Sequence, residues 1–389
     1  MNRPSPVRLY LDHAATGWPK PENVYQAMDR YARDNGAAAG RGAYASGTAA
    51  DRIVASCRRR LARLIGVADP HQVALFSNGT TALNAAIFGV LRPGDHVVTT
   101  AIEHNSLLRP LESLRFDADV SLEIIPCDEA GRVDPQAILD RVTRQTRLVA
   151  VSHASNVTGA VQDIATIGKA LRGTETLLLC DTAQTLGYLP IDLPEFGIDL
   201  LASPGHKGAC GPLGTGLLAV SPKALERLRP TIFGGTGSVS ESLVMPDAMP
   251  SRLEPGNLNV TALAGWDAGL AWLASDDLAA RAGRLGQLAQ LLRQAAAGLS
   301  GVRGIGADHL PILSLTFAGT DVGLIASLLD TEYGIEARSG LHCAPLIHRQ
   351  LGSSPGGTLR ISAGHSTTPE QLQRFAAALR DIVTELEIR

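Results

Sequence analysis

At 389 residues the chain is long enough for two core-bearing domains, and 45% hydrophobic against 19% charged residues is the balance of a soluble globular protein. A formal net charge of −3 lacks the basic footprint that a nucleic acid or a membrane surface demands, so neither is expected as a partner. No apolar stretch reaches the length of a membrane span, and Met1-Asn2-Arg3-Pro4-Ser5-Pro6 holds no apolar targeting core, so a cytoplasmic location is expected.

In chain order, Ala49 to Ile65 reads as helical and carries Cys57. Apolar runs at Val73–Phe76, His96–Thr99, Leu122–Ile125, Leu148–Ser152, Leu177–Cys180, Leu200–Ala202 and Gly216–Val220 then read as buried strands. Between them Thr81–Leu91, Ser106–Leu114, Pro135–Val142 and Ile164–Leu171 read as helices. That alternation predicts an α/β sheet, mostly parallel, with helices on both faces. A second region starts near residue 262. There Ser275-Asp276-Asp277 opens a helix carrying Leu278, Leu285, Leu288, Leu292 and Leu299, His309–Phe317 is strand-like, and Asp321–Leu329 is helical. Thr368-Pro369-Glu370-Gln371 is a capping box before a last helix with Leu372, Phe375, Leu379, Ile382 and Leu386 on one face.

The five cysteines (57, 127, 180, 210, 343) have neither metal nor disulfide spacing. Cys57, Cys127 and Cys180 are expected as buried packing residues. Cys343 differs because Arg338 and His342 stand beside it in sequence, and positive charge near a thiol favours the nucleophilic thiolate.

Ligands of a parallel sheet collect beyond the carboxyl ends of its strands. The polar residues Ser77-Asn78-Gly79-Thr80-Thr81, His104, Asn156, Asp181 and Lys207 fall at those ends. A lysine and an aspartate closing neighbouring strands are what pyridoxal phosphate (PLP) requires: the amine links to the cofactor and the acid keeps the ring nitrogen protonated. Taken singly, Lys207 is also compatible with a surface lysine, Asp181 with a turn cap, Asn78 with a helix cap and His104 with a structural loop residue. Together they favour one cofactor site. Asn78-Gly79-Thr80-Thr81 offers backbone N–H groups and hydroxyls at a helix start, suited to phosphate. His104 offers a flat ring to stack, Gln184 an amide near Asp181, and Ser203 and His206 flank Lys207. A dinucleotide site is disfavoured, since the first turn lacks Gly-x-Gly-x-x-Gly. No metal site is expected.

These motifs, from Tyr10-Leu11-Asp12-His13-Ala14-Ala15 to Arg360-Ile361-Ser362-Ala363-Gly364-His365, resemble the cysteine desulfurases of the SufS-like branch, within the class V, fold-type-I PLP enzymes. The resemblance implies a large domain with a mostly parallel seven-stranded sheet and a smaller α+β C-terminal domain. The expected division is 1–20 packing with the small domain, 21–265 the PLP-binding domain and 266–389 the small domain. It implies that Lys207 is the Schiff-base lysine, Asp181 the pyridinium partner, His104 the stacking ring and Gln184 the phenolic-oxygen contact. Gly79, Thr80, Ser203 and His206 would hold the phosphate, with Thr236 in Gly234-Gly235-Thr236-Gly237-Ser238 reaching the neighbouring subunit's cofactor in a homodimer. Asn156 and Arg360, with Arg338 and His13, would face the substrate, Arg360 clamping its carboxylate. Arg360 is also compatible with a structural ion pair in a strand. Cys343 would carry a persulfide.

Pro204 stands where the family usually has Ser or Thr, His13 where Asn or Ser is common, and Gly364-His365-Ser366-Thr367 replaces an aromatic-Asn-Thr sequence. The expected reaction is conversion of L-cysteine to L-alanine with sulfur left on Cys343, and a sulfur-acceptor protein as partner. The alternatives are another class V enzyme (C–S lyase, selenocysteine lyase or epimerase) or a non-catalytic PLP-fold regulator. A short loop between Cys343 and Arg360 implies a sheltered thiol and slow unassisted turnover.

Overall fold

The computed structural model describes residues 8–40, 42–238 and 241–388. Strand β1 (Leu9–Tyr10) is followed by helices α1 (Glu22–Asp34) and α2 (Ala45–Leu64). Strand and helix then alternate as β2 (Val73–Phe76), α3 (Gly79–Val90), β3 (His96–Thr100), α4 (Asn105–Asp117), β4 (Ser121–Ile125) and α5 (Pro135–Leu139). The pattern continues through β5 (Thr146–Ser152), α6 (Ile164–Leu171), β6 (Leu177–Asp181), α7 (Leu193–Phe196), β7 (Leu200–Pro204), β8 (Gly216–Val220) and α8 (Pro222–Arg227). Seven of these strands form one sheet in the order β2-β8-β7-β6-β5-β3-β4. It is parallel except where β8 runs against β2 and β7. The expected α/β sheet is therefore present, strand for strand.

Its strands read as continuous apolar runs because both faces are covered. The pleat sends Val149, Val151, Leu178, Cys180 and Leu201 to a core shared with α2 and α6. It sends Leu148, Ala150, Leu177, Leu179, Leu200 and Ala202 to a second core under α3 and α4. Each such leucine contributes about 2 kcal/mol by leaving water.

The second half comprises α9 (Val260–Leu273), α10 (Leu278–Ala296), β9 (Val302–Gly306), β10 (Ile312–Phe317), α11 (Val322–Thr331), β11 (Ile335–Glu336), β12 (Arg338–Gly340), α12 (Pro345–Gln350), β13 (Thr358–Ser362) and α13 (Pro369–Glu385). Helix α9 belongs to the large sheet's core through Leu263, Trp266 and Leu270. From α10 onward most apolar side chains pack on the antiparallel sheet β12-β13-β10-β9, while Ile305, Ala344, Ile347 and Leu351 join the large sheet's core. The capping box forms as read: Thr368 accepts from the Gln371 N–H and the Gln371 side chain accepts from the Thr368 N–H. Losing the Thr368 hydroxyl would cost about 1 kcal/mol. Leu9 and Leu11 join the core of this antiparallel sheet, and β1 pairs in parallel with β11.

Two expectations are corrected. Cys127 is half-buried rather than core, because it follows the edge strand β4, and its thiol meets Gln350 Oε1 at 3.3 Å. The connection from Cys343 to Arg360 is not a bare loop but includes α12, opened by Pro345. Among the described residues, no helix is long and apolar enough to cross a membrane.

Candidate active site

The carboxyl ends of β3, β5, β6 and β7 and the start of α3 surround a cavity of about 230 Å³. Gly79, Thr80, His104, Asn156, Asp181, Gln184, His206, Lys207, Arg338 and Arg360 all line it. Asn78 caps α3, its Oδ1 accepting from the Thr81 N–H at 2.8 Å. The capping reading of Asn78 thus holds alongside Thr80 in the lining. Thr80 Oγ1 lies 2.8 Å from Ser106 Oγ, which in turn lies 2.8 Å from His104 Nδ1. His104 Nδ1 also accepts from the Ser106 N–H at 3.0 Å, capping α4. With Nδ1 an acceptor, the ring proton belongs on Nε2. Burial first, then nearby Lys207 and Arg338, pushes the His104 pKa down to about 4, leaving a neutral flat ring.

Lys207 sits in a turn that packs against Trp266. A Cβ at Gly205 or Gly211 would lie 2.8 or 2.7 Å from the indole, so only glycine permits this approach. Desolvation pulls the Lys207 pKa from 10.5 down to about 8, against the opposing pull of Asp181 and with Arg360 adding to the drop. Asp181, buried at the end of β6, accepts from the Ala183 N–H at 2.8 Å. Burial raises its pKa, and the Ala183 N–H and Lys207 oppose that rise.

A second buried carboxylate, Glu103, has no role in the sequence reading. It accepts from Ser152 N and Oγ at 2.9 and 2.6 Å and from Thr100 Oγ1 at 2.5 Å, tying the His104 turn to β5. Burial raises its pKa to about 7, Asp181 adding a smaller push.

Arg338 and Arg360 are register partners across β12 and β13. Arg360, 1% exposed, gives Nη2 to Asp12 Oδ1 at 2.6 Å and Nη1 to the Asn156 carbonyl at 3.1 Å. Among the described residues its buried Nε has no partner. The ion-pair reading and the cavity position are therefore both realised, because a guanidinium has five N–H groups to distribute. Asp12 went unassigned in the sequence reading although it stands in the quoted motif; a buried arginine's need for an acid was the available signal.

Cys343 lies half-buried beside the cavity, its Sγ 3.7 Å from Arg338 Nη2. His342 does not supply the second positive charge expected there. Its ring is buried with Nε2 3.0 Å from Thr358 O and Oγ1, and burial drives its pKa down to about 2.

Besides Cys343, three predicted residues lie apart from the cavity lining. Ser203 is buried with Oγ 3.3 Å from the Pro204 carbonyl, because strand alternation puts it on the opposite face of β7 from Pro204, which does line the cavity. His13 is buried in the wall of a neighbouring cavity with Lys20, Tyr188 and His365. Thr236 is in an exposed loop, bonded to Ser238 Oγ at 3.0 Å. Gln184 spends one N–H on the Ala14 carbonyl at 3.1 Å, and His206 Nδ1 meets Thr16 Oγ1 at 3.1 Å.

The donor set fits PLP. It combines an easily neutralised amine, a buried acid, a neutral ring to stack, hydroxyls at the start of α3, and a buried guanidinium with an N–H unspent.

The family described as Aminotransferase class-V matches residues 9–375. A probable cysteine desulfurase of Methanothermobacter thermautotrophicus is 34% identical over 380 residues, covering 96% of this chain and 94% of the relative. The cysteine desulfurase CsdA of Escherichia coli is 28% identical, over 95% and 93% of the two chains. Among solved structures, the apo cysteine desulfurase of Thermococcus onnurineus NA1 superposes with a TM-score of 0.90 at 27% identity, covering 97% of this chain and 95% of that one. The S-sulfonic acid form of Escherichia coli CsdA gives 0.87 at 27% identity, over 97% and 94%.

Proposed function

Since the chain belongs to the class V aminotransferase family, a PLP-dependent family with full-length cysteine desulfurase relatives, we propose that it is itself a cysteine desulfurase, converting L-cysteine to L-alanine and leaving the sulfur on Cys343. The observation that carries the reading is the placement of the Cys343 thiol, 3.7 Å from a guanidinium that lines the same cavity as Lys207, Asp181 and Arg360.

Lys207 would hold PLP covalently, with Asp181 at its ring nitrogen, His104 against its face, Gln184 at its phenolic oxygen, and Thr80 and His206 at its phosphate. PLP supplies an electron sink for charge developing at the substrate's α-carbon. Arg360, oriented by Asp12, binds the α-carboxylate as a charge-assisted pair. Lys207 takes up the α-proton, a task its depressed pKa suits near neutral pH. Cys343 Sγ attacks the substrate sulfur, the S–S bond forms as the carbon–sulfur bond breaks, and the released carbon is protonated to alanine. The persulfide then passes to an acceptor thiol, which we place on a partner protein. A homodimer in which Thr236 reaches the neighbour's phosphate, and a reducing cytoplasmic setting for the five free cysteines, complete the proposal. We move the division between the large and small domains from the expected 265/266, which falls inside α9, to the joint between α9 and α10, where most of the core changes.

The test is single-turnover alanine formation from L-cysteine, beside Cys343→Ala. Alanine in one-to-one yield with a persulfide on Cys343, both lost in the variant, is the expected result. Pyruvate, racemised substrate or an unimpaired variant would place the chain among the lyases or epimerases instead.

A further inference from the structure

His342 and Cys343 are both held at positive φ, 49° and 58°. Side chains of L residues rarely adopt this conformation, and it persists where surrounding groups impose it. Here the imposing groups are identifiable. Asn156 Nδ2 donates to the His342 carbonyl at 2.8 Å, and the Asn105 N–H donates to the Cys343 carbonyl at 2.7 Å. The His342 ring is tethered as well, through Thr358 Oγ1 to Ser314 Oγ at 3.1 Å and on to the Val157 carbonyl at 2.7 Å. Both the backbone and the ring of His342 are thus tied to residues 156 and 157. The same segment meets the substrate side, because the Asn156 carbonyl accepts from Arg360 Nη1 at 3.1 Å. Asn156 is 8% exposed, so it touches the cysteine loop with its side chain and the arginine with its backbone while packed in place.

We propose that Asn156 is a positioning residue for the Cys343 thiol, coupling occupancy of the Arg360 carboxylate site to presentation of the nucleophile. The proposal rests on the reading of Cys343 as nucleophile and goes beyond it. A carboxylate drawn to the unspent N–H groups of Arg360 shifts the guanidinium, and with it the Asn156 carbonyl that accepts from Nη1. The resulting shift at residue 156 passes through the amide to the His342 carbonyl, and so to the peptide that orients Cys343. The amide keeps a second N–H and its Oδ1 for a ligand in the cavity.

The test is the rate of Cys343 alkylation by iodoacetamide, read by mass spectrometry on the PLP-loaded protein with and without L-alanine, which has the carboxylate and no sulfur. In the unmodified protein L-alanine should change the rate. Asn156→Asp, which cannot donate to the His342 carbonyl, should alkylate about 2- to 10-fold faster without ligand, the range one released hydrogen bond permits, and lose the L-alanine response. Thr358→Val cuts the ring tether outside the cavity; it should also alkylate faster but keep the response. Equal ligand-free rates in all three proteins overturn the proposal. So does an absent L-alanine response in the unmodified protein, or a retained one in Asn156→Asp. Failure of the desulfurase reading shows separately, as no alanine from L-cysteine.

Discussion

Asp12 and Arg360, 348 residues apart in the chain, meet in a 2.6 Å ion pair that joins the N-terminal segment to β13 and aims the guanidinium lining the cavity. The arginine side chain is 1% exposed and the aspartate 19%. Removing one partner from such a pair strands a buried charge and costs about 3 kcal/mol. Asp12→Asn should therefore lower the urea midpoint and raise KM for L-cysteine with a smaller change in kcat. Equilibrium unfolding and steady-state kinetics check this, and an unchanged KM would mean that Arg360 needs no help in facing the carboxylate.

Lys207 predicts how the apoprotein captures its cofactor. Only the neutral amine attacks an aldehyde, and desolvation lowers the pKa from 10.5 to about 8. The neutral fraction is therefore reached at lower pH than for a free lysine. The capture rate, followed by absorbance, should rise about tenfold per pH unit below the pKa and level off near pH 8. Asp181→Asn removes an opposing charge and should move the midpoint lower still. A midpoint above about 10 would show that Lys207 is solvated before PLP arrives.

Much of this site was legible because a parallel sheet obliges its ligands to its carboxyl ends. The runs ending at Asp181 and before Lys207 marked those ends directly. Asp12, quoted within a motif, and Glu103 and Ser106, on either side of His104, received no role, since their partners are set by tertiary closure and carry no local period. Glu103 reaches Ser152, 49 residues away, and Asp12 reaches Arg360. Ser203 was misplaced for a simpler reason. The strand was read only to Ala202, but β7 runs to Pro204, and extending the alternation puts Ser203 on the other face. His342 was read as a charge from its place beside Cys343, whereas burial against Thr358 makes it a neutral anchor.

The Glu254 carboxylate offers a stability test away from the chemistry. It pairs with Arg58 at 2.7 and 2.9 Å, both side chains under 10% exposed, and accepts the Leu75 N–H at 2.6 Å. Nearby, the Gly256 N–H reaches the Gly235 carbonyl at 2.8 Å, so the pair anchors the segment that carries Thr236. Glu254→Gln should destabilise by about 3 kcal/mol, and joint replacement of Arg58 by Met and Glu254 by Leu should recover most of that loss. It should also weaken PLP retention in dialysis. Additive losses in the double variant would contradict a coupled buried pair.

Acid should unfold this protein early, and the sign follows from its histidines. Burial, the largest cause in each case, lowers His13 to about 3, His153 to about 4 and His342 to about 2. The unfolded chain protonates them near pH 6.5, so below that pH it binds more protons than the folded state. Each then removes up to about 1.4 kcal/mol of stability per pH unit until its folded value is reached. Glu103 acts the other way: with a pKa raised to about 7, its folded form takes up a proton first and gains stability as pH falls toward the unfolded value. Three buried imidazoles outweigh Glu103 and Asp181, whose pKa burial also raises, so the urea midpoint should fall steadily from about pH 6.5 to about pH 4.5. His153 lies outside the cavity, its Nδ1 3.0 Å from Thr185 Oγ1, and His153→Gln should remove about one proton's worth of the slope. A midpoint that stays flat or rises over that interval would mean these histidines reach water in the folded protein.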